Sequence, residues 1–345
     1  MREFKGFKKG INLGGWISQF DKYDKAHFDS FITEDDIDNI AGMGFDHVRV
    51  PVDYYLFEEE DGTEKSDGFY YLDLCEKWCA KNNLHMIIDL HECYGYSFDP
   101  LKKDLDRERF FHDEEMMSRF LNLWERIAKR YGDKPDMIAF EPLNEVVPMN
   151  VVDEWNALLK RYIKLIRSIA PDTYLIIGGV CYNSVISVPL LDIDVDDKTV
   201  YNFHCYEPLI YTHQGAYWID GMKPDFRVDY PHTLAEYREA GTFLTREQAG
   251  AVYEDGISEI GEGFFEDIFK PALEKAEKDG IPLYCGEYGV IDLAAPEGRL
   301  RWLRDIHAVF NRHGIGRSLW NYKEKDFGLV DSSFDEIKDK FIEIL

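Results

Sequence analysis

The run IAFEPLNE, residues 138 to 145, opens like a buried strand and ends on an amide beside a carboxylate, Asn144 and Glu145. A second run, PLYCGEYGV at 282–290, carries Glu287 near its own end. A core strand has no use for such side chains unless its far end opens into a site. Two carboxyl groups facing one another are what cleavage of a glycosidic bond requires. One donates a proton to the leaving oxygen while the other attacks the anomeric carbon or activates water. Their surroundings must then hold their pKa values apart. The charge of Arg49 is expected to keep one ionised, and the phenol of Tyr206 to add a hydrogen bond.

Other strand-like runs stop in the same manner. Read in order, their ends carry Trp16, Arg49, His91 with Glu92, Asn144 with Glu145, His204 with Tyr206, Glu287 with Tyr288, and Trp320. Each alone has a plainer account. Arg49 fits a surface ion pair, Trp320 fits a core, His91 fits a satisfied core histidine, and either glutamate fits a helix N-terminus. Seven such ends on one rim argue for a shared site. His204 and Tyr206 lie two apart and face one side of their strand, while Cys205 faces the other. There is no H-x-H and no H-E-x-x-H, and HECYG is not a ligand spacing, so no catalytic metal is expected.

The elements that must position these residues follow from periodicity. Strands are predicted at 10–16, 45–53, 84–92, 137–145, 173–180, 199–208, 282–290 and 316–324, where short β-branched and aromatic runs occur. Helical spacing of apolar residues predicts helices at 33–44, opened by a Thr33 cap, and at 115–131, 152–170, 263–279 and 297–313. The segment SVISVPLLDI after strand five is short and holds Pro189, so a helix there has little support. Eight strands alternating with helices predict a (β/α)8 TIM barrel, whose chemistry gathers at the carboxyl ends of the strands. No G-x-G-x-x-G follows an early strand, which removes the usual dinucleotide site. The interval 209–262 is too long for an ordinary loop and includes the helix-like TREQAGAVYEDGI. It reads as a helical insertion after strand six, set over the barrel mouth. The whole of 1–345 then forms a single catalytic barrel.

Composition narrows the partners. The 345 residues are 45% hydrophobic, enough for one large core. With 40 basic and 66 acidic residues the net charge is −26, which repels nucleic acid and anionic membranes. Neutral sugars are compatible with it, although solubility alone would also account for the acidity. The six cysteines form no C-x-x-C pair, and Cys75 and Cys79 share one helix face, so free thiols are expected. The N-terminus lacks the apolar core of a signal peptide and no stretch is long enough to span a bilayer, which points to the cytoplasm. A secreted chain whose leader had been removed would read the same way.

Together IAFEPLNE, LYCGEYGV, HVRVP, IIDLHE, NFHCY and SLWNY resemble the motif set of glycoside hydrolase family 5. INLGGWISQF and YNFHCYEPLIYTHQGAYW are similar to its compact single-domain endoglucanases of the endoglucanase C type, and the likeness runs from about residue 11 to 324. The resemblance implies a retaining endo-β-glucanase with Glu145 as acid/base and Glu287 as nucleophile. It implies that Asn144 holds the 2-hydroxyl of the sugar, that Arg49 keeps the nucleophile ionised, and that His204 and Tyr206 orient the carboxyls. It also gives His91 to the sugar at the scissile subsite and makes Trp320 its stacking floor, with no metal or cofactor. Two positions depart from the pattern. Pro142 falls inside the predicted fourth strand, where it removes a ladder donor, and Glu92 stands where a second histidine is common.

Trp16, Tyr94, Tyr96, Tyr211, Tyr217, Trp218 and Trp320 are the aromatic residues best suited to stack on pyranose rings, with Trp218 expected beyond the scissile bond. The substrate stays open between cellulose-like β-1,4-glucan, mixed-linkage β-glucan, and mannan or glucomannan. A non-catalytic sugar-binding barrel and a metal-dependent barrel hydrolase are the rival classes. The sequence names no protein partner.

Overall fold

The computed structural model describes residues 2–20 and 22–345. Eight parallel strands close into a barrel in sequence order: β1 (Lys9–Asn12), β2 (His47–Asp53), β3 (His85–Glu92), β4 (Ile138–Glu141), β5 (Tyr174–Gly178), β6 (Thr199–Cys205), β7 (Leu283–Tyr288) and β8 (Gly316–Leu319). The helices are α1 (Lys25–Phe31), α2 (Glu34–Gly42), α3 (Tyr70–Lys81), α4 (Glu114–Tyr131), α5 (Val152–Ile169), α6 (Leu209–Thr212), α7 (Leu234–Ala240), α8 (Arg246–Ala249), α9 (Glu262–Asp279), α10 (Pro296–His313) and α11 (Lys338–Ile342). This is the TIM barrel that the alternation predicts.

Local sequence explains the long helices. At the start of α2 the Asp36 carboxylate accepts the backbone N–H of Thr33 at 2.9 Å, and Asp113 caps α4 by accepting from Glu115 and Met116. Gly280 and Gly314 stop α9 and α10 in the left-handed conformation that glycine adopts without a steric penalty. The crossover after β5 contains only a 3-10 helix, Val185–Leu190, which includes Pro189.

Inside the barrel the two-residue period of the strands builds layers. The lowest is apolar and joins Ile87, Ala139, Ile176, Val200 and Tyr284 to Phe4 and Phe7, whose rings stack 4.3 Å apart. Two residues further along the strands come Asn12, Arg49, Asp89, Glu141 and Asn202, all fully buried. Two further still, β3 and β6 present His91 and His204. A strand that reads Ile87, Asp89, His91 or Val200, Asn202, His204 thus runs from packing through polar support to the rim.

Several strands are shorter than predicted. β1 ends at Asn12, β4 at Glu141 and β8 at Leu319, so Trp16, Glu145 and Trp320 stand on the loops beyond them. Pro142 consequently lies outside β4 and costs no ladder bond; its carbonyl accepts the indole N–H of Trp124 at 2.9 Å. In β7 the pairing register shifts between Cys285 and Tyr288, a bulge at Gly286. A side chain at Gly286 would collide with Asn202, as its Cβ would stand 2.8 Å from Oδ1. The bulge sets Glu287 opposite His204. It leaves Tyr288 outside the barrel, hydrogen-bonded to His307 at 2.8 Å, so Tyr288 takes no part in the rim.

In the interval 209–262, TREQAGAVYEDGI does not form one helix. It yields the four residues of α8 and a 3-10 turn, Gly250–Tyr253, because Gly250 and Gly256 take positive φ. The buried Tyr211, Tyr230, Tyr237 and Val252 join the same core as the barrel. The segment also reaches the loop after β3 through an ion pair between Asp220 and Lys103, 3.0 Å apart.

Candidate active site

Arg49 is the hub. From the middle of β2 its guanidinium donates through Nε and Nη2 to the two oxygens of Glu141, at 2.7 and 2.8 Å. Nη1 donates to Asn12 Oδ1 at 2.9 Å and to Glu287 Oε1 at 2.8 Å, and Nη2 also donates to Asn144 Oδ1 at 2.8 Å. Asp89 Oδ2 stands 3.1 Å from Nη2 and 2.6 Å from His91 Nδ1, which fixes the histidine ring. A guanidinium presents five N–H groups in a rigid fork, and here each has an acceptor. Such a cation is far from the surface ion pair that its sequence position also allowed.

The two glutamates meet above it. His204 Nδ1 lies 2.8 Å from Glu145 Oε1 and 3.7 Å from Glu287 Oε2. The nitrogen and one oxygen from each carboxyl all fall within 4.8 Å of one another. The Tyr206 hydroxyl donates to Glu287 Oε2 at 2.9 Å. Both Glu287 oxygens therefore have donors, one of them cationic, whereas Glu145 has His204 and the Glu287 charge for company.

Electrostatics separate the pair. Burial, and then the charge of Glu287, push the Glu145 carboxyl well above the ordinary range. Burial also raises Glu287, but Arg49 opposes it and Tyr206 pulls the same way as Arg49. The shared proton accordingly belongs on Glu145 and the negative charge on Glu287. Burial, with the charge of Arg49, holds His204 well below the imidazole range, and burial takes His91 down to about 3, so both rings are neutral. Burial lifts Asp89 and Glu141 to about 7 against the pull of Arg49.

Three ligand atoms this close also invite a metal ion. A cation there would bind a Glu287 carboxyl that the Arg49 guanidinium already holds at 2.8 Å, and repulsion between the two positive charges disfavours it. A polyhydroxylated ligand suits the site better. Within it Asp89 Oδ1, His91 Nε2, Asn144 Nδ2 and His204 Nε2 are buried with no partner among the described residues, and sugar hydroxyls can both donate and accept.

Of the residues singled out in the sequence, Arg49, His91, Asn144, Glu145, His204, Tyr206, Glu287 and Trp320 come together. Trp320 lies parallel to His91, at 5.8 Å and 4° between planes, and the bond that follows it is cis. Gly14 lets the indole in, since a Cβ there would sit 2.4 Å from it. Trp218 stands farther out, joined to Tyr206 through His213, whose ring is 5.9 Å from Trp218 and 5.0 Å from Tyr206. Trp16 does not join them. It is fully buried between the barrel and the helices, edge-on to Tyr71 and stacked on Trp78, and its N–H is held by the Phe28 carbonyl at 2.8 Å. Glu92 is occupied by Ser97 at 2.5 Å and Lys102 at 2.6 Å. Sequence reasoning missed Asn12, Asp89, Glu141 and Asn202. Its available signal was a polar side chain in the middle of an apolar run, as in IIDLHE and IAFEP.

Comparison with known proteins finds relatives over nearly the whole chain. The model of the family described as "Cellulase (glycosyl hydrolase family 5)" matches residues 9–326. The chain is 41% identical over 344 residues to Endoglucanase C of Acetivibrio thermocellus, covering 98% of each. It is 42% identical to Cellodextrinase A of Ruminococcus flavefaciens, covering 92% of this chain and 86% of that one. Among solved structures it superposes on endoglucanase Cel5A of Thermotoga maritima with a TM-score of 0.75 at 24% identity, over 98% of this chain and 96% of that one, a likeness of fold.

Proposed function

The chain belongs to glycosyl hydrolase family 5, and from that premise we propose that it is a retaining endo-β-glucanase in which Glu145 is the acid/base and Glu287 the nucleophile. It cleaves β-1,4 bonds of cellulose-like or mixed-linkage β-glucan by double displacement. Glu287 attacks the anomeric carbon while Glu145 protonates the glycosidic oxygen, and Glu145 then takes a proton from the water that releases the glycosyl-enzyme. The observation that carries this reading is the spacing of the carboxyls, whose oxygens approach within 4.8 Å. Retaining enzymes hold the pair about 5–5.5 Å apart, and inverting ones leave about 6.5–9.5 Å for a water.

The surrounding residues divide the remaining work. Arg49 and Tyr206 favour the anion of Glu287, His204 orients Glu145, and Asn144 offers Nδ2 to the 2-hydroxyl. Trp320 and His91 line the sugar's site, and Trp218 extends the cleft toward a further sugar.

A proton NMR time course on soluble mixed-linkage β-glucan tests the proposal. The β-anomer is expected first, before mutarotation. An α-anomer first would mean inversion and remove the nucleophile role from Glu287. No turnover of glucan, with turnover of glucomannan or mannan, would transfer the same machinery to a mannanase. No turnover of either would favour a sugar-binding barrel.

A further inference from the structure

β4 ends at Glu141, four residues short of Glu145, and residues 142–148 belong to no helix or strand. The sheet ladder therefore cannot hold the main chain that carries the acid/base. Catalytic groups need placement to within about 0.5 Å, so something else must supply it.

Three ties do so. The Asn144 N–H donates to the Leu90 carbonyl of β3 at 3.0 Å, and the Val146 carbonyl accepts from the Tyr182 N–H at 3.0 Å. The third is a side chain. The Tyr96 hydroxyl donates to the Glu145 carbonyl at 2.7 Å and accepts from the Val147 N–H at 2.8 Å. It thus clamps both ends of the two peptide units that follow Glu145. Tyr96 is itself anchored. It closes a tight turn with Cys93, by paired bonds of 3.0 and 3.3 Å, and its ring packs against Phe110 and Phe111 at 5.6 and 5.5 Å. Only 2% of the residue is exposed. Water therefore gives poor compensation for a lost bond at this place.

Tyr96 was considered above only as a surface for sugar stacking, and burial removes it from that role. We infer that Tyr96 is a positioning residue: its hydroxyl fixes the main chain at Glu145 while His204 holds the carboxyl, and the two anchors together aim the acid at the leaving oxygen. The inference rests on reading Glu145 as the acid/base. Tyr96 touches no reacting atom, so its removal acts only through Glu145, which gives a proton to the leaving group in the first step and takes one from water in the second.

That restriction supplies the test. Tyr96→Phe keeps the ring and deletes the clamp. It is compared with wild type on a cellooligosaccharide, whose leaving group must be protonated, and on 2,4-dinitrophenyl β-cellobioside, whose leaving group need not be. A misplacement of this kind is expected to lower kcat on the oligosaccharide by roughly 10- to 100-fold. KM should stay within about twofold, and kcat/KM on the dinitrophenyl glycoside within about threefold, as the protonation step is bypassed. Equal loss on both substrates, or no loss on the oligosaccharide, overturns the inference. If Tyr96→Phe does not fold, 4-aminophenylalanine in place of Tyr96 keeps a donor there, and rates near wild type on both substrates, or a loss confined to the oligosaccharide, are expected; equal loss on both overturns it. Glu145→Ala is measured beside them, compared by kcat/KM, which reports the first displacement and not the later step in which Glu145 acts as base. Should it spare the dinitrophenyl glycoside while Tyr96→Phe does not, only the role of Tyr96 falls. Should Glu145→Ala damage both substrates equally, the acid/base reading falls and takes this inference with it.

Discussion

Arg49 Nη1 and Glu287 Oε1 are joined at 2.8 Å inside a guanidinium whose other N–H groups are all held elsewhere. The contact is therefore directional as well as electrostatic. Glu141 grips the far side of the fork in a bidentate pair, so the guanidinium cannot rotate away from Glu287 without losing two charged hydrogen bonds. The ionisation of Glu287, the proposed nucleophile, and its aim have one source, which lies one barrel layer below the carboxyl pair.

Arg49→Lys keeps the positive charge and loses the fork. A lysine ammonium cannot bond Glu141 and Glu287 in that geometry. The loss of about 2–3 kcal/mol expected for a hydrogen bond to a charged group translates into roughly a 30- to 150-fold fall in kcat/KM. The melting temperature should fall too, since a buried carboxylate loses its partner. Steady-state kinetics with near wild-type turnover would show that charge alone suffices.

Tyr206→Phe tests the other donor on Glu287. Its hydroxyl favours the ionised carboxyl. Without it Glu287 holds its proton to higher pH, so the acidic limb of the kcat/KM profile moves upward. The basic limb, which follows the proton on Glu145, should stay close to its place. Peak activity is expected to drop roughly 10-fold, as for one hydrogen bond to a charged group. A profile that shifts on its basic side instead would attach Tyr206 to Glu145.

Asp89 and Glu141 make the fold itself sensitive to pH. Burial lifts both to about 7 in the folded chain, from ordinary values of 3.8 and 4.5. The unfolded chain therefore releases these protons first as pH rises. Their contribution to stability is complete at pH below about 4 and is lost as pH climbs through 7. Melting curves of Glu141→Gln and Asp89→Asn, set against wild type between pH 4.5 and 7.5, should each show a shallower decline. A variant that declines as steeply as wild type would mean its carboxyl is ionised throughout.

The barrel and most of its rim could be read from the chain because strand periodicity and strand-end polarity are local properties. Arg49, His91, His204 and Glu287 each sit at the end of a short apolar run or within it, and that position carries the signal. What stayed hidden depends on packing between distant segments. Trp16 follows β1 as a rim residue should, yet α1 and α3 close over it. The bulge at Gly286 decides that Glu287 faces inward and Tyr288 outward, and the reason for it is the approach of Asn202, 84 residues away. Asp89 and Glu141 were visible as charges in apolar runs, but nothing local reveals that both close on one arginine. Tyr96 resembled a sugar platform, and only the path of the chain after β4 makes it a clamp.

Trp320 and Trp218 should separate by substrate length. Trp320 is 6% exposed, faces His91 and lies beside Gly14, so on the proposed reading it borders the site of bond cleavage. Every substrate must occupy that site. Trp320→Ala is therefore expected to lower kcat/KM on long glucan and on short aryl cellobiosides alike, by about 10-fold or more for a stacking contact with its buried area. Trp218 is one ring removed from Tyr206 and only half-buried, in the segment after β6. A short substrate that fills only the inner sites does not reach it. Trp218→Ala should then raise KM on polymeric glucan roughly three- to tenfold, the size of one aromatic contact, and leave kcat unchanged. On an aryl cellobioside the same variant should match wild type. Loss on the short substrate as well would mean that Trp218 holds His213 and Tyr206 in place and binds no sugar of its own.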